Sequence, residues 1–163
     1  MLVLRYIKMS KQISINKEQI YEEIKRLVAE GKTVSITAKG YSMNPFLMHM
    51  RDQIILGPWT DKDICRGTVA FVRDSRGNVL IHRIIKRKDN VIILEGDGNL
   101  GQREKATIDN IAGIMHSAIR KGRTYSVKGL IWRTYSWFWM TLRPLRRYPL
   151  AIWRRLNPQQ PLY

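Results

Sequence analysis

Cysteine is almost missing from this 163-residue chain, with Cys65 its one example. That excludes an intramolecular disulfide framework and any zinc site built from several thiolates. Long apolar runs are missing as well. The most apolar late stretch, Gly129 to Leu142, is interrupted by Arg133 and falls short of the ~20 residues that a membrane span needs. The opening MLVLRYIK is shorter than a signal-peptide core with its flanks, and Met9 is an alternative start. Acidic residues are scarce in one region only. From Ser117 to Tyr163 there are ten Lys and Arg and no Asp or Glu, whereas the first 116 residues carry 19 basic and 13 acidic side chains. The net charge of +16 therefore belongs mainly to the C-terminal part, and so does the question of partners. His49 and His116 have no acidic or cysteine neighbours at ligand spacing, so no metal is assigned and no cofactor is expected.

What is present is ordinary globular material. Hydrophobic residues at 44% and charged residues at 26% exclude a disordered or fibrous class. A chain of this length buries roughly 70% of its unfolded surface, enough for one core without a staple.

Three segments follow from the patterning: a helical segment over 1–32, a β domain over 33–126 and a basic aromatic tail over 127–163. Residues 16–30 read as one amphipathic helix. Asn16 and Gln19 form a capping-box pair, Ile20, Ile24, Leu27 and Val28 make one apolar face, and Gly31 stops the helix. Beyond it lie short β-like runs: Thr33–Ala38, Gln53–Leu56, Thr68–Val72, Val79–Ile85, Val91–Leu94 and Ile111–Ile119. Gly57-Pro58, Arg76-Gly77-Asn78 and Lys88-Asp89-Asn90 supply turns. Strands without helical crossovers predict a mainly β fold, either an antiparallel sandwich or a coiled sheet, and not an α/β one.

The tail holds Trp132, Trp137, Trp139 and Trp153 among six arginines from Arg133 to Arg155. Helical spacing aligns Ile131, Tyr135, Phe138, Leu142 and Leu145 on one side and Arg133, Ser136, Met140 and Arg143 on another. Pro144 and Pro149 predict a break, with a second short helix over Ala151 to Leu156. Aromatic rings with arginine on such a segment suit the headgroup level of a membrane, so a peripheral membrane association of an otherwise cytoplasmic chain is the leading expectation. Packing on the β domain is the bland alternative, and nucleic-acid binding is the weakest of the three.

Three strings carry chemistry. Gly40-Tyr41-Ser42-Met43-Asn44-Pro45 follows a strand and presents a serine in a turn shaped by glycine and proline, which on its own is most simply a turn serine. His82 lies inside the apolar run Val79–Ile85, where a histidine is more often structural than catalytic. Glu95-Gly96-Asp97-Gly98-Asn99 is an acidic turn after a strand. Together, Ser, His and Asp on one small β domain are the set that nucleophilic acyl transfer needs: a weak hydroxyl nucleophile, a base for its proton and a carboxylate to orient the base.

With these strings in place, the chain resembles type I signal peptidases and the related LexA-like self-cleaving repressors. Gly40-x-Ser42-Met43-x-Pro45 is similar to their nucleophile box. His82-Arg83-Ile84-Ile85 looks like the second box, with the His-Arg of the ER, archaeal and sporulation-type enzymes in place of Lys-Arg. Gly96-Asp97-x-Asn99 is similar to the Gly-Asp-Asn box. All three fall in family order between Val34 and Ile119. The resemblance implies a coiled antiparallel sheet and a serine endopeptidase acting on a signal or leader peptide, with Ser42 as nucleophile, His82 as general base and Asp97 orienting His82. It also implies that Gly40, Met43 and Pro45 shape the oxyanion and substrate site. Lys39 and Lys86 are available as alternative bases but stand outside the family's lysine position, which His82 occupies, so a Ser-Lys dyad is the weaker reading. Gly67-Thr68 stands where relatives have Gly-Asp, and beyond Asn99 the next acids are Glu104 and Asp109. One helix before Thr33 is too little for the DNA-reading domain of a repressor. A non-catalytic binding protein of the same fold, or a self-cleaving regulator, is the alternative.

Overall fold

The computed structural model describes residues 16–157, so the alternative start at Met9 and the last six residues lie outside it. The first element, α1 (Lys17–Ala29), begins where the capping box predicts. The Asn16 side chain accepts the Glu18 N–H, and Gln19 Oε1 accepts the Asn16 N–H at 3.3 Å. Its buried residues are Ile20, Tyr21, Ile24 and Val28, and each large apolar side chain contributes about 1.5–3 kcal/mol by leaving water. Tyr21 joins this face because its hydroxyl donates to the Asn110 carbonyl at 2.9 Å, which leaves the ring free to pack.

Eight strands follow: β1 (Val34–Thr37), β2 (Asp52–Gly57), β3 (Val69–Arg73), β4 (Val79–Lys88), β5 (Val91–Glu95), β6 (Arg103–Thr107), β7 (Ile111–Arg120) and β8 (Arg123–Ser126). They form one antiparallel sheet in the order β1-β2-β7-β3-β4-β5-β6, with β8 added to β7. The fold is mainly β, as the patterning predicts. β6 and β8 go beyond the six strands of the sequence reading. Arg103–Thr107 buries only Ala106 fully, and Arg123–Ser126 buries nothing fully, so neither carries the apolar alternation that marks a strand. Each forms because a neighbour offers an unpaired edge. β7 is shared along its length: Ile111–Ile114 pair with β3, and Ser117–Arg120 pair with β8 on that same edge.

Two cores lie on opposite faces of the sheet. One is covered by α1 and includes Phe71, Leu56 and Met115; the other includes Ala70, Ile84, Ile92 and Leu94. Val69 to Val72 are buried on both faces, hence their unbroken apolar run.

The tail forms α2 (Leu130–Thr141) and α3 (Arg147–Leu156). Pro144 lies between them, and Pro149 sits in the first turn of α3, where no intrahelical donor is needed. The second helix therefore starts at Arg147 and not at Ala151. The facing also differs from the spacing argument. Trp132 and Trp139 are buried and Tyr135 turns inward with them, while Ile131, Trp137, Phe138 and Leu145 are exposed. Tyr135 and Trp139 turn inward because their polar atoms find buried partners, as described below, and Trp132 packs edge-on against Phe46 with ring centroids 4.6 Å apart. No helix among the described residues is long and apolar enough to cross a membrane.

The loop from Ala38 to Arg51 is held at its base by Asp52, whose side chain is fully buried. Its Oδ2 accepts from the Met48 N–H at 2.9 Å, from Arg51 at 2.7 Å and from Arg120 at 3.1 Å. Burial disfavours the charge, but the Arg51 and Met48 bonds and the Arg120 guanidinium outweigh it and hold the carboxyl below the usual aspartate range. A depressed native value means that this stability is present above the ordinary aspartate pKa of ~3.9 and is lost as pH falls through the native value. Asp52→Asn should cost about 2 kcal/mol near neutral pH and much less at strongly acidic pH, as read from urea melts in the two conditions.

Candidate functional site

Ser42 sits in the loop that follows β1. Gly40 turns the chain with φ of 102°, a left-handed conformation that a side chain would resist. Its N–H donates to His49 Nδ1 at 2.9 Å, and the His49 ring packs on Tyr41 with centroids 5.0 Å apart. The Asn44 N–H closes the turn on the Tyr41 carbonyl at 3.1 Å. Ser42 is half-buried at the apex, and Met43 is buried beneath it.

The turn Gly96-Asp97-Gly98-Asn99 supports this loop from below. The Gly98 N–H donates to the Ser42 carbonyl at 2.7 Å. A Cβ on Gly96 would collide with that carbonyl, and one on Gly98 would lie 2.7 Å from the Tyr41 carbonyl. The two glycines are thus set by close backbone approach. The N–H groups of Ser42 and Met43 have no acceptor among the described residues.

His82 is buried in β4, and its Nδ1 lies 2.8 Å from Glu104 Oε2. Asp97 does not reach it. Instead Asp97 makes a two-pronged pair with Arg83, at 2.8 and 2.6 Å, with both side chains 1% exposed. The expectation that Asp97 orients His82 is corrected on this point, and the reason is the strand pleat. Successive strand residues face opposite sides of the sheet, so neighbours such as His82 and Arg83 cannot meet one carboxylate. Arg83 points to the Asp97 side. His82 points to the other, where β6 supplies Glu104 across β5.

Asp97 is a structural node. It also accepts from the Tyr135 hydroxyl at 3.0 Å, and its carbonyl accepts the Trp139 indole N–H at 3.1 Å. Arg83 gives further bonds to the Gly67 carbonyl and Ser136 Oγ. Burial pushes the Tyr135 hydroxyl well above its ordinary pKa, with the Asp97 charge acting in the same direction, so it stays a neutral donor. Arg146 donates to the Asn99 carbonyl and Arg154 to that of Gly98. Helices α2 and α3 therefore brace the turn that braces Ser42.

Ser42, His82 and Glu104 line one cleft of about 640 Å³ together with Asn78, Asn99 and Gln102. Ser42 also borders a second, more apolar pocket of about 430 Å³ formed by Met43, Leu47, Ile54, Phe71 and Ile81. No hydrogen bond joins Ser42 Oγ to His82 among the described residues; such contacts commonly tighten only when substrate is bound. Gly40 shapes the loop but has already given its N–H to His49, and Pro45 has none to give. Lys39 edges the apolar pocket, whereas Lys86 is exposed and lines neither space. No group of three or more potential metal ligands occurs among the described residues. No protein-family model matches the chain, and no curated protein or solved structure matches it either.

In the sequence Glu104 stands out only as the next acid after the Gly-Asp-Asn string. Its signal is the pleat: with Arg83 beside His82 and a carboxylate turn one strand away, the histidine needs a different acid from the far strand. Tyr135 and Trp139 carry no local signal. The two carboxylates should separate in a thermal melt. Asp97→Asn leaves Arg83 buried without its counter-charge and should cost about 3–5 kcal/mol. Glu104→Gln keeps a neutral bond to His82 and should cost about 1 kcal/mol.

Proposed function

We propose that this protein is a serine endopeptidase that hydrolyses a signal or leader peptide. The observation that carries the reading is a serine on a glycine-shaped loop lining the same cleft as buried His82 and its partner Glu104. The box resemblance supports the same roles for Ser42 and His82.

The chemistry runs through this chain's own groups. Ser42 Oγ attacks the scissile carbonyl carbon as its proton passes to His82 Nε2. Glu104 accepts from Nδ1–H, fixes the tautomer and stabilises the imidazolium. The tetrahedral oxyanion faces the Ser42 and Met43 N–H groups, and each donor of this kind is typically worth ~3 kcal/mol. Collapse breaks the C–N bond, and Nε2–H delivers its proton to the leaving amine. Water then attacks the Ser42 ester with His82 Nε2 taking its proton; the acyl C–Oγ bond breaks, Nε2–H returns the proton to Ser42 Oγ, and the acid is released. The apolar pocket beside Ser42 receives a small apolar side chain next to the cut, and an extended substrate contributes main-chain bonds along the cleft.

The test compares protein N-termini, by mass spectrometry, in cells carrying the chain and cells carrying Ser42→Ala. New N-termini should depend on Ser42 and should follow small residues. Identical sets, with both proteins folded, would refute the reading. On a peptide found in this way, Glu104→Gln should lower kcat by roughly 10²–10⁴ with little change in KM.

A further inference from the structure

The braced helices α2 and α3 keep one face free. Leu130, Ile131, Trp137, Phe138, Tyr148 and Ile152 are each more than half exposed. On α2 they recur at helical spacing with Thr141, which lies between Phe138 and Leu145 on one stripe. Thr141 also lines a cavity of about 720 Å³ at the elbow between the helices. Around that cavity stand five arginines, Arg66, Arg103, Arg143, Arg146 and Arg147, with the single carboxylate Glu95. Glu95 already accepts from Arg103, Arg143 and Arg146, so the cavity keeps a large positive excess. Between residues 127 and 157 there are seven Lys and Arg and no Asp or Glu.

We propose that the exposed face of α2 and α3 docks on an anionic phospholipid bilayer, with headgroup phosphates entering the arginine-lined cavity at the elbow. Three features choose this occupant. The exposed side chains include Leu130, Ile131, Leu145, Ile152 and Leu156, aliphatic groups that gain from acyl chains and nothing from stacked bases. Trp137 and Tyr148 add the amphipathic rings that favour the headgroup level. The cavity's charge suits phosphate and would repel the same face of a second copy. Arginine also matches phosphate geometry with paired N–H donors. The surface is independent of the peptidase reading, since neither Ser42 nor His82 takes part in it.

The test is co-sedimentation of the full chain with phosphatidylcholine vesicles, with and without phosphatidylglycerol. Binding should require phosphatidylglycerol and weaken in high salt. Each basic residue near an anionic surface is worth about fivefold in partitioning, so Arg66→Ala with Arg147→Ala should lower it on the order of 20-fold. Trp137→Ser with Ile152→Ser should abolish binding while leaving the melting temperature near that of the parent. These four residues are exposed and hold none of the bonds that brace the Asp97 turn, so the variants should fold. Equal binding to both vesicle types would overturn the proposal, as would binding to neither. It would be overturned equally if the same residues mediated self-association, or oligonucleotide capture, in place of vesicle binding.

Discussion

The buried pair of Arg83 and Asp97 is the constraint on which the rest of the site depends. A guanidinium and a carboxylate removed from water are tolerable only when matched closely and when their remaining donors and acceptors are satisfied. Here Arg83 fills its other positions with Gly67 and Ser136, and Asp97 fills its own with Tyr135. Satisfying one ion pair thus ties β4, the Gly96–Asn99 turn and α2 together. The turn in turn meets the Ser42 carbonyl through the Gly98 N–H. A basic tail that looks detachable in composition is, in the fold, part of the support for the proposed nucleophile.

The same pair fixes which acid serves the histidine. Because Arg83 and His82 are adjacent on a strand, engaging Asp97 with one denies it to the other. The sheet resolves this through β6, an edge strand with little apolar content whose Glu104 reaches back under β5 to His82. The proposed chemistry therefore rests on two carboxylates with separate tasks: Asp97 holds the scaffold, and Glu104 addresses the base.

Much of this was legible in the residues. The capping box at Asn16 and Gln19, the double-sided apolar run of β3 and the turn glycines mark α1, the central strand and the loop that carries Ser42. The illegible parts share a cause, which is that local pattern does not report distant partners. β6 and β8 are polar strings that become strands only because β5 and β7 leave edges open. Helical spacing alone groups Tyr135 with Ile131 and Phe138, yet Tyr135 turns inward because its hydroxyl finds Asp97, and Trp139 does so because its indole finds the Asp97 carbonyl. The assignment of Asp97 to His82 failed for a similar reason: order along the chain does not state which side of a pleat a residue occupies.

The claim that the C-terminal helices support the Ser42 loop through the Asp97 turn is tested most directly by hydrogen exchange at the Gly98 amide. Trp139→Phe removes the indole donor to the Asp97 carbonyl while keeping an aromatic ring. One lost hydrogen bond of ordinary worth should speed exchange of Gly98 by about tenfold, with the Ser42 loop following and the β3 amides unchanged. Unaltered protection at Gly98 in a folded Trp139→Phe protein would contradict the account.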